Sequence, residues 1–284
     1  MNASLHAVRM GVRRGLIELR HSFTTTQELL GYIFPVTIFV VVLFFMRNAT
    51  VPGTNFSLGA STLPSLLGMG VAFSGLATIA QQLTIEREDG TLLRAKATPN
   101  GMLGYLVGKI VLLASITIAG LLIQLTAGLF VIDGLVLTSA SSWFTLAWVL
   151  VIGLIATMPI GAVIGSLFDD PRILSFVMFL MMALTAISGI FYPITALPGW
   201  LQAVGQIFPI YWLGLGMRSA LLPAEMAAVE IGGSWRHLET LGVLGLWAVV
   251  GLLVAPIVLR RMARRESGSD VERRRQKALQ RAPF

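Results

Sequence analysis

The length and spacing of its apolar stretches constrain this chain more than any other feature. A helix needs about 20 apolar residues to cross roughly 30 Å of bilayer hydrocarbon. Six stretches approach or exceed that length: 29–46, 58–83, 106–132, 143–168, 173–192 and 238–259. The 284 residues are 55% hydrophobic and 12% charged, well below the ~25% charge of an ordinary soluble domain. Such apolar content excludes disorder for most of the chain. A soluble helical bundle would carry a polar face along each helix, and these runs carry none. The expected fold class is therefore an all-α membrane protein with six transmembrane helices.

Basic residues in short loops set the orientation of such a bundle. With both termini in the cytoplasm, every lysine and arginine except Arg47, Arg218 and Arg236 falls on the inner side. That places the chain in the cell's inner (plasma) membrane as a multi-pass protein. It also accounts for the net charge of +7 without nucleic acid, since cationic segments sit beside anionic lipid headgroups. The absence of cysteine removes disulfides and thiolate chemistry. The N-terminus has basic residues but no early apolar core with a cleavage site, so no removed signal peptide is expected.

Within this frame the chain is expected to divide into a cytoplasmic interfacial helix over 1–28, a six-span membrane domain 29–259 and a basic cytoplasmic tail 260–284. Val8, Val12, Leu16 and Leu19 recur at helical spacing while Arg9, Arg13 and Arg20 point elsewhere, the pattern of a helix lying on the inner leaflet. The second span is rich in Gly59, Gly68, Gly70, Ser74 and Gly75. Small residues let helices approach closely, so this span is expected inside the bundle.

Two segments between spans carry more pattern than a plain connection. The first, 84–105, holds Glu86, Arg87, Glu88 and Asp89 directly after the second span. Gly90 breaks the run, and Thr91 can cap a short helix containing Leu92 and Arg94 that stops at Thr98-Pro99. Acidic residues at its start and basic ones further along suit the helix dipole. A short rigid helix held between two spans can transmit a push; the same charges would also fit a solvated turn. The second segment, 188–222, is punctuated by Pro193, Pro198 and Pro209 and carries Tyr192, Trp200, Tyr211 and Trp212. Its apolar piece 197–208 is too short to span, which predicts a re-entrant helical hairpin at the outer face. A surface hairpin anchored by its aromatic residues is the alternative.

Chemistry in the chain itself is not expected. Gly104 to Lys109 ends like a phosphate loop, but Leu103 and Ile110 stand where that motif needs glycine and Ser or Thr. His6, His21 and His237 form no spaced metal set. No acidic residue lies near the middle of an expected span, which counts against a proton-coupled carrier.

At these residues the chain resembles the permease subunits of type-2 ABC exporters, close to the daunorubicin-resistance and nodulation-export branch. Glu86 to Leu92 matches the family's E-R-E-x-G-T-L pattern, and Ala97-Thr98-Pro99 with Tyr105 to Lys109 matches its continuation. Ser188 to Pro193, Leu197-Pro198, Trp200-Leu201 and Phe208-Pro209 match its second signature. The resemblance covers almost the whole chain. It implies that Glu86, Arg87, Glu88, Asp89, Gly90, Thr91, Leu92, Arg94, Thr98 and Pro99 couple to an ATPase. It also implies that Gly189, Phe191, Tyr192, Pro193, Pro198, Trp200, Phe208 and Pro209 form an extracellular gate.

The implied partners are two separate ATP-binding cassette subunits, which would hold ATP and magnesium, and a second permease copy, identical or not. No cofactor is implied in this chain. The implied cargo is a hydrophobic or amphipathic small molecule, a drug or metabolite. Phe34, Met69 and Phe73 are candidates to line its path, and core packing explains them equally. A polysaccharide or lipid-linked glycan exporter, a proton-coupled multidrug carrier and a non-transporting assembly factor are the competing readings.

Overall fold

The second apolar run becomes the spine of the molecule. In the computed structural model, which describes residues 3–50, 57–132, 134–137, 139–168 and 171–265, this run forms α3 (Leu58–Phe73) and α4 (Ile79–Glu88). A single π-helical turn, Ser74–Thr78, joins them without a break. Of the helices long and apolar enough to span a bilayer, Leu58–Arg87 is the most enclosed, 72% buried against 12% for Leu29–Met46. The small residues explain this. A methyl group added at Gly75 would lie 1.9 Å from Thr157 Oγ1, and one at Gly161 would lie 2.0 Å from the Gly75 carbonyl. Only glycine lets these two backbones meet.

The remaining elements surround that spine. They are α1 (Ala3–Ser22), α2 (Thr26–Met46), α5 (Thr91–Lys96), α6 (Gly101–Val131), α7 (Ala140–Leu167), α8 (Pro171–Ala186), α9 (Gly199–Ile207), α10 (Pro209–Leu221) and α11 (His237–Arg265). No strand occurs among the described residues beyond an isolated bridge, Thr50 to Ser57. The α3–α4 rod, α7 and α11 run in one direction. Gly75 meets Thr157, Gly165 meets Ala80, and Gly251 meets Pro159. α6 runs the other way, with Gly128 against Leu63 and Thr117 hydrogen-bonded to Ser74. One end of the bundle therefore gathers α1, α5, the start of α6 and the ends of α4, α7 and α11. This is the charged end.

Helix ends follow local chemistry. Ser57 caps α3 by accepting from the Ala60 amide at 3.4 Å, and Ser139 caps α7 by accepting from Ser142 at 3.1 Å. Pro209 opens α10, where its missing N–H costs nothing. Pro35, Pro64, Pro159 and Pro256 sit inside long helices, as neighbouring helices in a membrane bundle permit.

Five helices are long and apolar enough to cross a membrane: Leu29–Met46, Leu58–Arg87, Gly101–Val131, Ala140–Leu167 and His237–Met262. The stretch expected at 173–192 differs. Its apolar helix is Ile173–Ala186, about 20 Å at 1.5 Å per residue. Gly189 then takes a left-handed conformation (φ 65°) and turns the chain. The N-terminal segment differs as well. Helix α1 ends at Ser22, a turn follows, and Thr26 already belongs to α2, so 1–28 is not one helix. The tail beyond Arg265 lies outside the described residues.

Candidate functional site

The charged segment after α4 folds into a tight, two-faced hook. Asp89 closes α4, and Gly90 (φ 76°) reverses the chain in the left-handed region. Gly90 holds the cap position of α5, and Asp89, one residue earlier, accepts from the Thr91 amide at 2.8 Å through Oδ1, so Thr91 is not the cap. Thr91 instead accepts from Arg94 Nη2 at 3.0 Å. α5 ends at Lys96, short of Thr98-Pro99, and the Thr98 hydroxyl donates to the Ala95 carbonyl at 3.0 Å. Asn100 (φ 53°) then starts α6.

One face of the hook is locked into the bundle. Glu86 pairs with Lys109 at 2.5 Å and accepts a hydrogen bond from the Tyr105 hydroxyl. Lys109 lies 3.6 Å from Glu18, and Glu18 pairs with Arg14 at 2.6 Å. The Arg14 guanidinium stands 5.6 Å above the Tyr105 ring. Partial burial opposes the Arg14 charge, but the Glu18 hydrogen bond and the carboxylates of Glu18 and Glu86 together raise its pKa. Arg87 is also buried and donates to the carbonyls of Gly165 and Ser166 on α7. Leu92 and Ala95 are buried in the core. Lys109, which on sequence only mimicked a phosphate loop, is thus the partner of Glu86. A lysine one turn inside an apolar run, facing an acidic helix end, was the available signal.

The other face is open. Asp89, Arg94, Lys96, Thr98 and Pro99 are exposed. An open cleft of about 520 Å³ lies between α1 and α5 beside the start of α6, with Arg14, Arg94 and His6 in its walls. The Glu88 side chain lies outside the described residues. The ten positions marked on sequence therefore divide. Glu86, Arg87, Gly90 and Leu92 serve the interior, while Asp89, Arg94, Thr98 and Pro99 present a surface and Thr91 lies between.

Helix α1 braces this junction through glycines. A methyl group at Gly11 would lie 2.4 Å from the Gly104 carbonyl, and one at Gly15 would lie 2.5 Å from that of Gly108. The two helices run parallel, backbone against backbone. Both carry glycines four apart, the spacing of close helix packing.

At the opposite end, α9 and α10 form a hairpin held between α3, α7 and α11. α10 packs antiparallel to α3, with Gly68 against Leu213 and Gly214. The Phe208 ring lies 6.2 Å from Trp247 of α11, whose indole N–H donates to the Ile207 carbonyl at 2.9 Å. Sequence reasoning treated Arg218 as an outer-loop charge. It is 2% exposed. Its Nε binds Glu230 at 2.6 Å, and its Nη1 donates to Ser65 Oγ at 2.8 Å and to the Gly189 carbonyl at 3.2 Å. One arginine thus ties together α3, α10, the turn after α8 and the 230 loop.

The residues expected around an outer gate are spread across this region. Gly189 makes the turn, Tyr192 donates to the Ala186 carbonyl, Phe208 and Pro209 form the hairpin tip, and Phe191, Pro198 and Trp200 are exposed. Pro193 precedes the short turn Ile194–Ala196. Of the residues suggested for a cargo path, Phe34 faces outward on α2, while Met69 and Phe73 are half-buried against the core on α3.

The helical bundle and its apolar spans define a multi-pass membrane protein. A family model described as "ABC-2 family transporter protein" matches residues 46–257, well over half of the chain. The protein belongs to this family and is a transmembrane component of an ABC exporter, not itself a catalyst. No curated protein matches it significantly.

Proposed function

We propose that this chain is the permease of an ATP-driven exporter whose ATP is hydrolysed by separate subunits docked beneath the charged end. The observation that carries this reading is the division of the hook. Asp89, Arg94, Thr98 and Pro99 face out, while Glu86 and Leu92 of the same short segment are fixed in the bundle. A partner gripping the open face moves the fixed one. In this reading both termini are cytoplasmic, α8 is the fifth of six spans, and α1 braces the cytoplasmic start of α6. The α9–α10 hairpin dips into the outer leaflet as part of a gate.

Transport is then a shift between two packed states, driven by the tighter contact that the ATP-bound partner makes with one of them. Two permease chains, each with an ATP-binding subunit, form the working unit. The cargo is a hydrophobic or amphipathic small molecule. Its class rests on the sequence resemblance together with the lipid-facing apolar surface of α2 (Ile33, Phe34, Ile38, Phe44 and Phe45).

The test is reconstitution in liposomes with and without the ATP-binding subunit that copurifies with the chain. Labelled hydrophobic drugs and lipids are screened for ATP-dependent movement. Movement should require both subunits, and Arg94→Glu should reduce copurification about tenfold, a typical coupling free energy. Movement without any ATP-binding subunit overturns the reading.

A further inference from the structure

The geometry points to Arg87 and Lys96 as positioning residues that hand a displacement of the 86–98 hook to α7 and α11, Arg87 by capping the end of α7 and Lys96 by holding a backbone carbonyl of α11. The last four carbonyls of a helix lack partners inside it and carry partial negative charge. α7 ends at Leu167, and the carbonyls of Gly165 and Ser166 in its final turn each receive Arg87 Nη1 at 3.4 Å. In α11, described as far as Arg265, the carbonyl of Arg264 receives Lys96 Nζ at 3.4 Å. Two cations of one short segment thus hold backbone carbonyls of two helices that arrive from the same side.

The surroundings make these contacts mechanical. α4 and α7 touch backbone to backbone, since a methyl group at Gly165 would lie 2.7 Å from the Ala80 carbonyl. Arg87 is buried where it reaches α7. Its neighbour Glu86 points instead to Lys109 on α6. Adjacent residues therefore grip different spans, and the hook cannot tilt without pulling on both. α7 and α11 also pack along their length, with Gly251 against Pro159 and Ile160, so a pull on one end is shared. Lys96 is solvated, which makes its link the weaker of the two.

This inference rests on the proposed coupling role, and its test separates the two. The chain has no cysteine, so spin labels can be placed by Ala97→Cys with Leu167→Cys, and by Ala97→Cys with Arg260→Cys. Distances are read by pulsed electron spin resonance in lipid nanodiscs, on the permease alone and on its complex with the copurified ATP-binding subunit. Arg87→Met should roughly double the width of the 97–167 distribution as the last turn frays. It should leave subunit copurification intact and lower ATP-dependent transport about tenfold. Arg87→Lys should restore most of both. Lys96→Met, a solvated change that spares the core, should broaden 97–260 and leave 97–167 narrow. A narrow 97–167 distribution with wild-type transport in Arg87→Met, or an unchanged 97–260 distribution in Lys96→Met, overturns the inference. If the wild-type chain recruits no ATP-binding subunit, the proposed function falls. The distributions of the permease alone still decide the two contacts.

Discussion

Arg218 shows how much one buried charge can organise. Its guanidinium satisfies Glu230, Ser65 and a carbonyl at Gly189 inside an otherwise apolar region. Charges out of water persist only when paired, and stranding one partner costs about 3–5 kcal/mol. Arg218→Met should therefore lower stability by that amount in a thermal melt of the detergent-solubilised protein. Adding Glu230→Gln should recover most of the loss, because no ion is then left alone. The Glu86–Lys109 pair invites the same comparison. Lys109→Met strands Glu86 beside Glu18 and should destabilise far more than Tyr105→Phe, which removes one hydrogen bond worth about 1 kcal/mol. Equal losses from the two variants would show that the lysine is solvated.

At the scale of elements, the contact between α1 and α6 depends on four glycines rather than on side-chain interlocking. Gly15→Leu pushes a side chain into the Gly108 carbonyl. It should cost about 1–3 kcal/mol, the usual penalty of overpacking, and release α1 from the hook. Gly31→Leu, on the exposed face of α2 where an added methyl meets nothing within 4 Å, should be neutral in the same melt. The π-turn at Ser74–Thr78 lies where α4 begins, midway between hook and hairpin. Its widened turn is offset by the Ser74–Thr117 hydrogen bond and by the fit of Gly75 against Thr157. The spine is thereby continuous from the hairpin to the hook.

Across the whole molecule, the two ends differ in character. The charged end is a set of ion pairs and helix caps with one open face. The opposite end is a hairpin sealed by aromatic rings and Arg218. In the proposed orientation, Trp200→Cys should react with a membrane-impermeant thiol reagent on intact cells, and Ala97→Cys only after permeabilisation. Labelling of Ala97→Cys from outside would invert the topology.

The sequence by itself determined the membrane class and most of the spans, because crossing hydrocarbon demands a fixed length of apolar residues and leaves little freedom. It also located the hook, since Gly90 and the alternation of charge around it are local signals. It left open what depends on partners distant in the chain. The apolar composition of 173–192 could not reveal that the helix stops at Ala186 ahead of a left-handed Gly189 whose carbonyl Arg218 holds. Which of Glu86 to Pro99 face inward was decided by Lys109, Gly165 and Ser166, residues up to 79 positions away from their partners. Length and polarity act along the chain and can be read there. The pairing of a buried charge is a property of packing, and only the tertiary structure sets it.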